Sequence, residues 1–468
     1  MTRHTCDVAV IGAGTAGLAA ERAARRQGAR TLLIDDRFAG TLCATAGCMP
    51  SKLLIAAADR AHTVRSARTF GIETGQVAID GRAVMARVRD EREKFVAATR
   101  QNFEDLPQGT CLKAKAAFAT PDRLVLDNGD SVEARAFVIA TGSEPQVPPP
   151  FEGLGALALT NQDVFELQDL PRSIGVIGAG AIGLELAQAF ARLGVRTALF
   201  DQGANPGPTQ DRDIQAKLLA VLSQDIEVHL NVQVEAELGT KSVRLSWSGD
   251  SEGTATFDKL LVAAGRAPTL DGLDLKKTGL SLDENGVPHF DRATLQCGES
   301  PIFIAGDADA DVPVLHEAGI EGSAAGLNAA TYPDMIEARR TPPFSLTFID
   351  PPLATLGTVD ASAPITGASS YEDQGRAKVE NRAQGMVRLY ADQDGRLIGA
   401  ELFAPGADHM VHLLCAAIMR GETASDVLDL PLYHPTLEEG LKDALREVCQ
   451  KANAPPPLDR DPAKAPGG

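Results

Sequence analysis

Apolar residues in this chain come in short unbroken runs that close on glycine. Asp7-Val8-Ala9-Val10-Ile11 has no polar position after Asp7, the pattern of a strand buried on both faces. It leads into Gly12-Ala13-Gly14-Thr15-Ala16-Gly17, an alanine-rich helix, and a second apolar strand from Thr31 to Ile34 that ends at Asp35. The same order returns at Ser173-Ile174-Gly175-Val176-Ile177. There it runs into Gly178-Ala179-Gly180-Ala181-Ile182-Gly183, another helix and a strand ending at Asp201. Asp35 follows Gly12 by 23 positions, and Asp201 follows Gly178 by the same 23. Each copy continues into alternating segments and a closing apolar strand. In the first these are Leu124-Val125-Leu126 with an Asn128-Gly129 hairpin turn, then Phe137 to Thr141-Gly142. In the second the closing strand is Leu260 to Ala264, ending on Gly265-Arg266-Ala267-Pro268. Ile302-Phe303-Ile304 is a further strand ending in Gly306-Asp307. From about Phe344 the pattern changes to alternating strands such as Met386–Tyr390 and Leu397–Ala400, with helical stretches after them. This predicts a separate α+β domain.

One Gly-x-Gly-x-x-Gly is weak evidence for a nucleotide. Two copies, each between a strand and a helix and each with an acid at ribose range, are strong evidence for two dinucleotide sites. The glycines let backbone approach a pyrophosphate, whose charge meets a helix N-terminus. Asp35 and Asp201 would accept from ribose hydroxyls. An acid there also repels a 2′-phosphate, and Gln202-Gly203-Ala204-Asn205 supplies no arginine, so Asp201 points to NAD rather than NADP.

At 468 residues the chain has room for about three domains. With 44% hydrophobic and 23% charged residues, its balance is that of a globular protein. A net charge of −18 argues against nucleic acid and anionic membranes as partners and favours solubility. No run of about twenty apolar residues predicts a membrane span. The first residues enter a strand directly, without the pattern of a signal peptide. Seven cysteines at irregular spacing are unlike a secreted disulfide framework, so the expected setting is a reducing cytoplasm. Cys6, Cys111, Cys297, Cys415 and Cys449 lie among apolar residues and read as buried thiols.

Cys43 and Cys48 are different. They fall just after the first nucleotide unit, in Gly40-Thr41-Leu42-Cys43-Ala44-Thr45-Ala46-Gly47-Cys48-Met49-Pro50-Ser51-Lys52. Pro50 suits the first turn of a helix. That would put Cys48 at a helix N-terminus, where the dipole favours a thiolate. The plain alternative is two buried thiols that never meet. His409 and His412 have no third ligand in view and read as helix-surface or interface residues, so no metal is expected.

The cysteine run resembles the redox-active disulfide segment of the flavin disulfide reductases, usually Gly-Gly-x-Cys-x-Asn-x-Gly-Cys-x-Pro-Ser-Lys, with Thr45 in place of the Asn. The order of motifs matches that family from about Asp7 to Val448. The resemblance implies an α/β fold of two Rossmann-like domains, for FAD and NAD, the second inserted in the first, plus a C-terminal α+β dimerisation domain. The implied boundaries are 1–147 and 269–342 for the FAD domain, 148–268 for the NAD domain, 343–451 for the interface domain and 452–468 for a disordered tail. It implies FAD contacts at Gly12, Gly14, Gly17, Asp35, Lys52, Thr141, Gly142 and Asp307, and NAD contacts at Gly178, Gly180, Gly183, Asp201 and Gly265. Glu185 would pair with Lys52 beside the flavin.

Near the C-terminus, Tyr433-His434-Pro435-Thr436-Leu437-Glu438-Glu439 resembles the family's base segment. A lone histidine is more often structural, but here the resemblance implies His434 as acid–base group and Glu439, by its spacing, rather than Glu438 as the carboxylate that orients it. It further implies a homodimer in which His434 of one subunit completes the disulfide site of the other. Within the family the residues look most like dihydrolipoamide dehydrogenase. Such an enzyme oxidises a dihydrolipoyl group, free or protein-bound, through the Cys43–Cys48 disulfide and FAD, with NAD+ as hydride acceptor. A reductase for another disulfide, of the glutathione or mycothione kind, and a flavoprotein subunit kept for assembly are the alternatives. Ala181 stands where relatives often carry a bulkier residue, which would open the nicotinamide side.

Overall fold

The computed structural model describes residues 1–359 and 363–452; the expected tail lies almost wholly outside them, from 453 onward. The chain forms two compact units.

The first unit comprises Met1–Leu53, Arg87–Gln146 and Gly265–Arg340. Its seven-stranded sheet places Arg3–Ile11 between Thr31–Asp35 and Ser131–Ile139, parallel to both. The later half of Ser131–Ile139 also pairs in parallel with Ile302–Ile304. Val8, Ala9 and Val10 are fully buried, as an apolar run without alternation requires. The helix Thr15–Arg26 packs on Leu315–Thr331 through alanine and glycine: a Cβ on Gly322 or Gly326 would strike the backbone of Ala16 or Ala20.

The second unit comprises Leu54–Ala86, Val147–Ala264 and Thr341–Gly468. Its parallel sheet runs Glu227–His229, Arg196–Phe200, Ser173–Ile177, Lys259–Val262, Ala158–Leu159. The repeat read from the sequence is here at the level of single hydrogen bonds. Gly12 N donates to Ile34 O and Gly178 N to Phe200 O, each at 2.8 Å. Ala140 N donates to Ile11 O and Ala263 N to Ile177 O, again at 2.8 Å. The third glycine of each motif is fixed by contact, since a Cβ on Gly17 would lie 1.9 Å from Gly12 O and one on Gly183 1.8 Å from Gly178 O. The same unit holds the C-terminal domain, a five-stranded antiparallel sheet from Phe344 to Phe403 covered by the helices Ala407–Arg420 and Leu441–Lys451. Among the described residues no helix is long and apolar enough to cross a membrane.

Candidate active site

Cys43 lies in a single turn, Leu42–Thr45, and Cys48 opens the helix Cys48–Ser66. The turn is capped by Thr41, whose hydroxyl accepts from Ala44 N at 3.4 Å. The Thr45 hydroxyl, at the position that departs from the family pattern, donates back to Thr41 O at 3.0 Å. It is spent on closing its own turn. A side chain on Gly47 would crowd the turn, its Cβ 3.0 Å from Leu42 O and 3.2 Å from Cys43 Cα.

Both cysteines are thiols in this structure, Cys43 half-buried and Cys48 exposed. The Cys43 thiol hydrogen-bonds to Cys48. That bond, then burial, pushes its pKa well above the ordinary thiol range, while the charge of Lys52 pulls the other way. Cys43 is thus a thiol that holds its proton tightly, and Cys48 stands at a helix start, where the dipole favours a thiolate. The remaining cysteines divide. Cys6, Cys297 and Cys449 are buried, with burial pushing Cys6 and Cys297 up to about 12. Cys111 and Cys415 are only partly covered, contrary to the reading that all five are buried: Cys111 opens the edge strand of its sheet, and Cys415 flanks the buried face of the helix Ala407–Arg420 formed by Met410, Val411, Leu414 and Ala417.

The two glycine loops are built alike. Asp35 Oδ2 accepts from Ala13 N at 3.0 Å, and its other oxygen accepts from Arg37 N and Phe38 N at 2.9 and 2.7 Å. Asp201 Oδ2 accepts from Ala179 N at 2.5 Å, and its other oxygen from Gly203 N at 2.6 Å. Each acid thus braces its glycine loop, and carboxylate lone pairs remain for ribose hydroxyls. The residues fit dinucleotides. Neither helix that follows has a side-chain cap, a Cβ on Gly14 or Gly180 would meet nothing within 4 Å, and the Thr141 hydroxyl is buried without a partner.

Asp307 accepts from the Ser143 hydroxyl at 2.6 Å, and Arg266 Nε donates to the same hydroxyl at 2.9 Å. Sequence reasoning passed over Ser143 and Arg266. Their signal was position, directly after Gly142 and Gly265, where the strands Ser143–Pro145 and Arg266–Pro268 pair.

Glu185 is buried, with 6% of its surface exposed, and accepts from Phe348 N at 2.9 Å. In the C-terminal domain His434 Nδ1 lies 2.9 Å from Glu439 Oε2, and Lys442 stands 3.6 Å from the other oxygen. The segment is held from behind: Tyr371, fully buried, donates to Leu437 O at 3.0 Å and Gln374 to Thr436 O at 2.7 Å. Neither was visible in the sequence. The His434 side chain is 55% exposed and Tyr433 more so, so this chain alone leaves the imidazole open on one side. His409 is exposed, and His412 contacts Asp408 O and the ring of Phe344.

Residues 6–322 match the family model described as pyridine nucleotide-disulphide oxidoreductase, and residues 344–445 match the dimerisation domain of the same family. The chain is 31% identical over 454 residues to a dihydrolipoyl dehydrogenase of Bacillus subtilis, covering 94% of this chain and 97% of the relative. It is 30% identical over 460 residues to dihydrolipoyl dehydrogenase 2 of Haloarcula marismortui, covering 94% and 95%. Among solved structures the fold is that of the HOCl-induced flavoprotein disulfide reductase RclA from Escherichia coli, in its Cu(II) complex. The TM-score is 0.82 at 22% identity, covering 95% of this chain and 99% of that one. On this match, over nearly its whole length, the chain belongs to the pyridine nucleotide-disulphide oxidoreductases.

Proposed function

We propose that this flavin disulfide oxidoreductase oxidises a dihydrolipoyl dithiol and passes the electrons to NAD+. The observation that carries the reading is the Cys43–Cys48 pair, hydrogen-bonded thiol to sulfur at the start of a helix. The relatives named dihydrolipoyl dehydrogenase, at about 30% identity along most of the chain, support this substrate.

FAD and NAD(H) are the cofactors of the family. By the family resemblance Gly12, Gly14, Gly17, Asp35, Lys52, Thr141, Gly142 and Asp307 would hold the FAD and Gly178, Gly180, Gly183, Asp201 and Gly265 the NAD, and Glu185 would take part in electron transfer between them. When bound, FAD takes an electron pair from the cysteines and gives it up as hydride to nicotinamide.

The protein's own residues then do the following. A substrate thiol loses its proton to His434 of the partner subunit, whose imidazole Glu439 orients through the other ring nitrogen. The resulting thiolate attacks Cys43 Sγ of the oxidised pair. The Cys43–Cys48 bond breaks, Cys48 leaves as thiolate, and a mixed disulfide joins substrate to Cys43. The second substrate thiol attacks the substrate sulfur joined to Cys43, the mixed disulfide breaks, and the attacking thiol's proton passes to the departing Cys43 sulfur. The substrate leaves as a cyclic disulfide, two electrons poorer, and the cysteine pair is two electrons richer. Cys48 suits the leaving role because Cys43 is the sulfur that holds its proton.

The test is steady-state turnover of the FAD-loaded dimer with dihydrolipoamide and NAD+, beside NADPH with glutathione disulfide. Turnover in the first pair at least about a hundredfold above the second in kcat/KM, a difference of about 2.7 kcal/mol, is expected. The reverse order would replace this reading with that of a reductase for another disulfide.

A further inference from the structure

On the helix Ala181–Arg192, Glu185, Gln188 and Arg192 stand three and four residues apart, on one face. All three are buried, and all three hold the same short segment of the C-terminal domain. Glu185 Oε1 accepts from Phe348 N at 2.9 Å. Gln188 Oε1 accepts from Asp350 N at 2.8 Å, and Gln188 Nε2 donates to Asp350 O at 3.2 Å. Arg192 Nη1 donates to Asp350 Oδ2 at 3.1 Å, and Arg382 donates to the other oxygen at 3.1 Å. Burial acts to raise the Asp350 carboxyl, but the two guanidinium groups outweigh it and hold it below the usual carboxylate range.

Arg192, with 5% of its side chain exposed, also reaches Asp59 Oδ1 at 3.3 Å and Asp225 Oδ2 at 3.4 Å, and its main-chain oxygen accepts from Arg65. Asp59 and Arg65 lie on the helix that opens at Cys48. One guanidinium therefore ties three carboxylates from three segments. Such a set holds its geometry tightly, because losing a member leaves a buried charge uncompensated. Beside it lies a cavity of about 60 Å³ lined by His62, Gln224 and Gln384, with room for water.

We infer that Gln188 and Arg192 are positioning residues: they anchor Phe348–Asp350, and the Phe348 N–H then fixes one carboxylate oxygen of Glu185. The inference rests on the proposed function, in which Glu185 takes part in electron transfer between nicotinamide and flavin. A stripe that merely joined two domains would lower thermal stability alone. A stripe that aims Glu185 acts on electron transfer with the nicotinamide and spares thiol exchange at Cys43.

The test uses full-length protein with Gln188→Leu, which removes no charge, beside Asp350→Asn and Glu185→Gln. In the apo-protein, hydrogen exchange at the Phe348 amide should quicken in Gln188→Leu and Asp350→Asn. In the FAD-loaded dimer, flavin reduction by NADH should slow by about threefold to tenfold in both, the effect of one lost hydrogen bond. Reduction of the Cys43–Cys48 disulfide by dihydrolipoamide should change by less than about twofold, a factor smaller than one such bond supplies. If Glu185→Gln slows reduction by NADH while the other two variants do not, the inference falls and the proposed function stands. Equal slowing of both half-reactions overturns it as well, by making the stripe structural. If Glu185→Gln leaves reduction by NADH unchanged, the role given to Glu185 fails, and the inference fails with it.

Discussion

Asp309 is a carboxyl placed where a carboxylate is poorly tolerated. It is buried in the turn Gly306–Asp309, and Glu317 and Glu321 are buried on the adjoining helix Leu315–Thr331. Glu321 is well served: Oε2 accepts from Gly306 N at 2.9 Å and Oε1 from Arg340 at 2.7 Å. Asp309 Oδ1 accepts from Asp311 N at 2.9 Å, but Oδ2 has no donor. Arg340 and Arg292 both reach Asp311, His316 stands 4.0 Å from Glu317, and the Cys297 thiol feels the charge of Asp309. With four carboxylates around two guanidinium groups, one proton relieves the cluster. Burial first, and then the neighbouring charge of Glu321, push Asp309 up to about 8. Its folded pKa lies above the unfolded one, so the contribution to stability is full below the ordinary carboxylate range. It is lost progressively as pH rises to about 8. Asp309→Asn keeps the acceptor for Asp311 N and cannot ionise. Its melting temperature should exceed that of the parent at pH 8 by about 2–4 °C per kcal/mol relieved, and the two should converge toward pH 4, where the parent's carboxyl is protonated as well. Thermal melting of the apo-protein across that range checks this; parallel curves for parent and variant would mean that Asp309 does not titrate there.

At the scale of elements, the glycine loops were legible because their constraint is local and steric. The third glycine touches the first glycine's carbonyl, and that contact lies within six residues of sequence. The cysteine turn was legible for the same reason, through Gly47 and a helix that starts at Cys48. What brings distant segments together was not legible. Tyr371 behind the His434 segment, Ser143 and Arg266 beside Asp307, and the hold of Gln188 on Phe348–Asp350 all join positions far apart in the chain. Each of those residues looks ordinary in its own neighbourhood. Asp201 falls between the two cases. Its place after the strand Arg196–Phe200 was predictable, but its hold on Ala179 and Gly203 was not. This double duty sets an expectation. The parent should favour NADH over NADPH in kcat/KM by about tenfold or more, or about 1.4 kcal/mol, because a 2′-phosphate would meet a carboxylate. Asp201→Ala should weaken both cofactors, since the loop loses its brace, and should weaken NADH more. A variant that loses affinity for both equally would assign Asp201 to the loop alone.

At the scale of the whole molecule, the expected architecture of two nucleotide-binding folds and a C-terminal dimerisation domain agrees with the family match over 6–322 and 344–445. The proposed composite site draws support from one chain: His434 is held by Glu439 yet more than half exposed, with the exposed Tyr433 beside it. If His434 serves the partner subunit's cysteines, neither a His434→Ala homodimer nor a Cys43→Ser homodimer should oxidise dihydrolipoamide well. Dissociating and reassociating the two together should yield heterodimers with one intact site, built from Cys43 of the His434→Ala chain and His434 of the Cys43→Ser chain. Acid–base help of this kind is worth about 10²–10⁴-fold in rate. Recovery should therefore stand clear of both parents and approach half the wild-type rate per heterodimer. Glu439→Gln should cost less than His434→Ala, because the imidazole remains while its orientation loosens. Heterodimers purified by two different tags and still inactive would place base and cysteines in one chain. The exposure of His434 would then have to be explained by access for a bulky lipoyl carrier rather than by a second subunit.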